Sequence, residues 1–183
     1  MKRFCLLLLS AVLLVTAVAC VAEPSAGGRT TTTTTTTYVE PPLVDVSLAT
    51  ILPREVLSQL LHADMCEPMI NENSTQLDSI SPRTDTERAV NLKINMIERT
   101  RAHFDEMLVN YNWAQTFVEV DGVGDVAYWA SDYSSVSPFC SLICYAEGYV
   151  IDVNLTCADR ADSTLQTQAT QVALTIIAAL AKK

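Results

Sequence analysis

The cysteines at positions 5, 20, 66, 140, 144 and 157 are the most reactive side chains in this sequence. Such a set can form disulfides, bind a metal or supply a lipid attachment point. Cys5 lies in an apolar leader and leaves with it. Cys66, Cys140, Cys144 and Cys157 form an even set with three possible pairings, and an exported chain meets oxidising conditions that favour disulfides. The expected pairs are Cys140 with Cys157 and Cys66 with Cys144. A turn centred between Gly148 and Tyr149 would set the first pair opposite each other, and the second would staple an early loop to the sheet. Each bridge is worth about 2–4 kcal/mol. The sharper alternative is zinc held by His62, Cys66, Cys140 and Cys144, since His62 and Cys66 sit one helical turn apart. Paired C-x-x-C spacing is absent, so no metal and no cofactor are expected.

Acid–base chemistry has little to work with. His62 and His103 are the only histidines, and the chain contains no H-E-x-x-H, G-x-S-x-G or Walker-type loop. His103, beside Phe104, reads as a surface or core-edge histidine. No catalytic residue is assigned, and the chain is expected not to be an enzyme. Glu119, Asp121, Asp125 and Asp132 gather along one connection, but they lack the fixed close steps of an EF-hand and read as a solvated turn. Trp113, Tyr128, Trp129 and Tyr133 could line a ligand groove, although strand aromatics more often fill cores or pack across strands. Asn73 and Asn154 head N-x-S/T sequons.

Residues 1–19 have a basic start at Lys2 and Arg3, an apolar run and small residues at the end, the pattern of a secretory signal peptide. The apolar run is shorter than the roughly 20 residues of a membrane span. "Ala17-Val18-Ala19" before Cys20 resembles a lipobox, with Ala where Leu or Val is more usual, whereas "Cys20-Val21-Ala22" before Glu23 offers ordinary cleavage. Cys20 would make the cysteine count of the exported chain odd, which disfavours a bare thiol and favours an acylated Cys20 as the lipid anchor. Residues 20–43 contain Gly27, Gly28, a run from Thr30 to Thr37 and flanking prolines, and they read as a disordered Thr-rich tether.

The full chain has 12 basic and 21 acidic side chains, a net charge of −9. Losing Lys2 and Arg3 with the leader leaves ten basic against the same 21 acidic groups, about −11. That balance excludes nucleic acid as a partner and disfavours charge-based binding to anionic lipid, so membrane attachment would run through an acyl chain. A hydrophobic content of 49% supports a folded core.

Residues 44–183 are expected to form one α+β domain. "LPREVLSQLLHADMC" predicts a short helix over about 53–63, with Val56, Leu57, Leu60 and Leu61 on one face. "CEPMINENSTQLDSISPRT" reads as a loop with room for one edge strand. Thr84 and Glu87 make a capping box. Val90, Ile94, Ile97, Arg101, Phe104, Leu108 and Tyr111 then step by four and three, which predicts a long helix over 84–111 with Arg101 in a salt bridge at its rim. "AQTFVEV", "DVAYWA", "FCSLICYA" and "GYVIDVNLTC" predict a four-stranded meander. A terminal helix follows, with Leu165, Ala169, Val172, Ile176 and Leu180 on one face and Asp162 as its cap. The expected fold is an antiparallel sheet of about four strands covered by two longer helices, with a short N-terminal helix.

"VDGVGDVAYW", followed by a hairpin and a helix of small apolar spacing, resembles small secreted actinobacterial lipoproteins of an uncharacterised family. More distantly it resembles the extracellular sensor domains of mycobacterial receptor kinases. The resemblance spans about residues 115–182 and implies an envelope protein with an α+β domain. A longer helix before the sheet and the closeness of Cys140 to Cys144 depart from the pattern. The expected function is a lipid-anchored binding or sensing module on the outer face of the cytoplasmic membrane, with an envelope protein as partner. The alternatives are a secreted form, a carrier of a small apolar ligand held between sheet and helices, and a secreted hydrolase.

Overall fold

Alternation by two governs the centre of the chain. In a computed structural model that describes residues 47–71, 75–82, 84, 89–134 and 138–182, Val90–Glu98 is a strand. The leader, Cys20, the Thr-rich tether, Glu87 of the expected capping box and Asn73 lie outside the described residues. Val90, Leu92, Ile94 and Met96 are buried on one side of this strand, while Asn91, Lys93 and Asn95 face the other. The long helix expected over 84–111 is therefore corrected to a strand followed by a short helix, Arg101–Met107, and a 3-10 turn, Leu108–Tyr111. Steps of four and three picked out Val90, Ile94 and Ile97, with Met96 widening the stripe, but Leu92 fits only a period of two, and that period buries Val90, Leu92, Ile94 and Met96 in register.

In chain order the elements are α1 (Leu48–Ile51), α2 (Arg54–Leu61), β1 (Met69–Ile70), β2 (Gln76–Ser81) and β3 (Val90–Glu98). There follow α3 (Arg101–Met107), the 3-10 turn, β4 (Thr116–Glu119), β5 (Val126–Asp132), β6 (Phe139–Ala146), β7 (Tyr149–Thr156) and α4 (Asp162–Leu180). The fold is mixed α+β with an antiparallel sheet, but the sheet has seven strands where about four were expected, in the order β1-β2-β3-β7-β6-β5-β4. The four expected strands are β4 to β7. The polar loop supplies β1 and β2, and the misread helix supplies β3, so β7 pairs with β3 on one side and β6 on the other.

The inner face of the sheet packs on α1, α2 and α4. Leu165, Ala169, Val172, Ile176 and Leu180 are buried along α4 as expected, together with Ala173, and they meet Leu142, Cys144, Ile151, Val153 and Trp129. Asp162 does not cap α4. Ala161 occupies that position, and the Asp162 carboxylate instead accepts the indole N–H of Trp129 at 2.9 Å, tying the helix start to β5. Gln168, buried in α4, donates to the carbonyl of Leu61 at 2.9 Å and accepts from Arg160 at 2.8 Å. Arg160 also donates to the carbonyls of Leu61 and His62, so the open C-terminal end of α2 is satisfied by side chains from the far end of the chain.

The β6–β7 hairpin turns at Glu147 and Gly148, whose φ values of 53° and 81° fit a two-residue turn with both residues left-handed. The other tight connection is more constrained. Gly124, at φ +61°, lies where a Cβ would come within 2.6 Å of the Tyr145 carbonyl oxygen, so the β4–β5 connection can lean on β6 only through a glycine. Asp125 N–H donates to that same carbonyl at 2.8 Å. No helix among the described residues is long and apolar enough to cross a membrane.

Candidate functional site: the open half of the outer sheet face

The outer face divides in two. Over β5, β6 and the start of β7, α3 and the 3-10 turn bring Phe104 down onto Ile143 and Val150, with Tyr111, Tyr128 and Tyr145 around them. Thr100 starts this helix by accepting the His103 N–H on its hydroxyl at 3.3 Å. Arg101 sits at the rim as expected, paired to Asp105 at 3.0 Å and over the Phe104 ring at 5.5 Å. Aromatic rings continue outward: Phe117 stacks on Tyr128 at 5.0 Å, and Trp113 meets Phe139 edge to face at 4.9 Å.

Over β2, β3 and the far end of β7 no helix among the described residues lies on the sheet. There a concave surface of about 750 Å³ is lined by Asp78, Asn91, Lys93, Asn95, Asn154 and Thr156, with Cys66, Glu67, Met69, Ile80 and Phe139 at its edges. The register explains how one face gathers these residues from separated segments. Asp78 stands opposite Lys93, Ile80 opposite Asn91, Lys93 opposite Asn154, and Asn91 opposite Thr156. The rim is extended past β2 by the loop before β1, where Cys66 N–H donates to the Ile80 carbonyl at 2.8 Å and Ser79 Oγ donates to the Cys66 carbonyl at 2.9 Å.

Asp152 marks the border between the halves. It lies on β7 opposite Asn95 of β3 and Ile143 of β6. Ser141 Oγ donates to its Oδ1 at 2.6 Å, and the polar side chains of Asn154, Tyr111 and Asn95 nearby also favour its charged form. Asp152 keeps partial exposure. Even so, desolvation outweighs those donors and its pKa is raised above the ordinary carboxylate value. Tyr111, over the same spot, has its pKa raised first by burial and then by the charge of Asp152.

The expected disulfides are not formed: Cys66, Cys140, Cys144 and Cys157 are free thiols. Cys140 lies opposite Leu155, not Cys157, because the hairpin turn is centred between Glu147 and Gly148, and moving a turn centre by one residue moves each partner by two. Cys144 faces the inner core opposite Ala127 and Ile151, whereas Cys66 is exposed at the rim of the outer groove, so these two thiols serve different surfaces. Burial pushes the Cys140 thiol up to about 11 and the Cys144 thiol to about 12, which leaves both protonated and unreactive at neutral pH. The zinc alternative fails on the same geometry, and among the described residues no group of three His, Cys, Asp or Glu side chains could hold a metal ion.

The histidines stand apart from the groove. His62 ends α2 in a left-handed conformation beside a shallow depression of about 300 Å³ formed with residues of α4, and His103 lies on α3 with Glu106 at 3.7 Å. Of the aromatic candidates, Trp129 is fully buried in the inner core, Trp113 and Tyr128 belong to the outer ring cluster, and Tyr133 lies by Cys140 with its hydroxyl 3.7 Å from the sulfur. Among the acidic candidates, Glu119, Asp121 and Asp125 are exposed, and Asp132 accepts the Ser134 N–H at 2.7 Å. No family model, curated protein or solved structure matches this chain.

Sequence reasoning assigned no role to Asn91, Lys93, Asn95 or Asp152, and noted Asn154 only as a sequon. A signal for the first three was present. "VNLKINM" alternates strictly between apolar and polar residues, and asparagine is a poor strand former whose repeated use on an exposed face suggests a demand other than stability.

Proposed function

We propose that this protein is a lipid-anchored, extracytoplasmic binding or sensing module without catalytic activity, receiving its ligand or envelope partner on the open half of the outer sheet face. One observation carries the reading. A concave surface of about 750 Å³ is built on strands, and a few polar groups converge in it beside exposed apolar side chains. The apolar-carrier alternative has less support, because the layer between sheet and helices is occupied by Trp129, Leu142, Leu165, Val172 and Ile176. The anchor rests on the small residues before Cys20, on the Thr-rich spacer and on an acidic balance that gives anionic lipid no charge-based grip.

Two measurements test the proposal. Intact mass of the mature N-terminus with detergent partitioning should find an acylated chain beginning at Cys20, and a water-soluble chain beginning at Glu23 would overturn the anchor. Amide chemical-shift mapping against a fragment mixture of hydroxylated, amide and apolar small molecules should concentrate shifts in β2, β3 and β7. Shifts confined to other surfaces would remove the binding face.

A further inference from the structure

β4 closes one side of the sheet, and among the described residues its outer edge has no strand beside it. The Val120 N–H donates to the Ala127 carbonyl at 2.9 Å, and the register sets Val118 opposite Trp129 and Thr116 opposite Ser131. Backbone groups in an antiparallel pair alternate in direction, so Thr116, Val118 and Val120 are turned to β5. The N–H and C=O groups of Phe117 and Glu119 therefore point away from the sheet. They are aligned to receive another strand.

Proteins commonly blunt such an edge with lysine, proline or a bulge, or by keeping it very short. The opposite edge of the sheet is blunted in the last way, because β1 has only Met69–Ile70. At β4, residues 114–120 contain no lysine and no proline, and the register with β5 is unbroken. All four residues of Thr116–Glu119 are exposed. Phe117 on the outer side and Val118 on the inner side are 41% and 44% exposed. An incoming strand covers apolar side chains on both faces while it satisfies the backbone.

Charge selects the partner. From residue 102 to residue 159, a stretch that includes β4 to β7, the chain has nine Asp and Glu residues and no Lys or Arg. Glu119, Asp121 and Asp125 are exposed at the β4 end of that stretch. A second copy of the chain is the competing occupant, and it meets its own charge. Pairing β4 with an antiparallel copy about Val118 sets the two Glu119 carboxylates diagonally across the join, with no cation on either strand to offset them. Each chain also carries a net charge of −9. A basic strand gains where a copy loses, because its cations lie within a Debye length of these acids. We infer that the free edge of β4 pairs with an extended basic peptide segment of another protein. Lysine or arginine at alternate positions of that segment faces Glu119 and Asp121, and apolar residues between them lie against Val118. This surface is separate from the groove, and the inference stands whether or not the groove binds a ligand.

The test uses the mature full chain and amide chemical-shift titrations with three end-blocked hexapeptides. One alternates lysine and valine, one alternates glutamate and valine, and the third is the basic peptide methylated at all its backbone nitrogens. The basic peptide should perturb residues 116–120, slow hydrogen exchange at the Phe117 and Glu119 amides, and bind less tightly as salt rises. The acidic and the methylated peptides should leave those amides unchanged. Glu119→Lys combined with Asp121→Lys should weaken the basic peptide by about tenfold, with the fold intact by circular dichroism. Equal binding of the methylated peptide would overturn backbone pairing, and equal binding of the acidic one would overturn the choice of a basic partner. Shifts at residues 116–120 that follow protein concentration without peptide would replace that partner by a second copy. If no peptide perturbs the edge, the inference fails.

Discussion

The two halves of the outer sheet face share strands, twist and backbone pairing, yet among the described residues one is roofed and the other is bare. Along β6 and β5 the outward positions are Ile143, Tyr145, Val126 and Tyr128, and they are closed off by Phe104 from α3. Along β3 and the far end of β7 the outward positions are Asn91, Lys93, Asn95, Asn154 and Thr156, and they line the groove. The inner face behind both halves is mostly apolar, with Ser79, Ser81 and Ser131 the buried polar exceptions among the described residues. Stability therefore comes from the inner layer and the roofed half. The open half carries polar residues that this core does not need, and Asp152 joins the two regions.

The largest effect should come from removing the roof. Phe104→Ala deletes a fully buried ring and is expected to cost about 3–5 kcal/mol in denaturant unfolding. A loss below about 1 kcal/mol would mean that the roofed half contributes no more than the bare one. A smaller effect is expected where the β4–β5 connection meets β6. Gly124→Ala forces a Cβ against the Tyr145 carbonyl and should cost about 2–3 kcal/mol. Gly122→Ala, with nothing within 4 Å, should cost only the left-handed penalty of about 1 kcal/mol.

At the border the sign of a pH dependence is the readout. Asp152 has a raised native pKa, so in the interval above the ordinary aspartate value of about 3.9 the folded chain binds more protons than the unfolded one. Its contribution to stability is best at low pH, declines as pH rises through the native pKa and is level above it. Unfolding free energies of the wild type and Asp152→Asn, measured from pH 3 to 9, should differ by a term with that shape. A difference rising with pH would show the carboxylate to be stabilised in its ionised form. The smallest effect belongs to the bare half. Asn91→Val is expected to change stability by no more than about 0.5 kcal/mol, with any change favourable because valine prefers a strand.

The same contrast explains which parts of the molecule were readable from the chain. The β4–β7 strands and the buried stripe of α4 were legible because their apolar residues keep one period, and turn residues such as Gly122 and Gly124 punctuate them. The 84–111 stretch was misread because Val90, Ile94 and Ile97 satisfy a helical spacing while Val90, Leu92, Ile94 and Met96 satisfy a strand, and a real helix begins three residues after Glu98. Only pairing with β2 and β7 decides between the two, and β7 lies far away in sequence. The groove was illegible for the same reason. Its lining comes from β1, β2, β3, β6 and β7, and register alone places those residues side by side. The expected register of Cys140 opposite Cys157 missed the observed one by one residue in the position of a turn.

The placement of β7 has a kinetic consequence. Strands β1 to β3 form one antiparallel group and β4 to β6 another, and only β7 joins them. A chain emerging from the N-terminus first would expose two unpaired edges, β3 and β6, until residues 149–156 arrive. Long-range pairing of this kind is slow and leaves the partly emerged chain open to wrong partners. Completion of the sheet and assembly of the groove between β3 and β7 are then one event. The molecule gains the surface that faces its surroundings only at the moment it finishes folding.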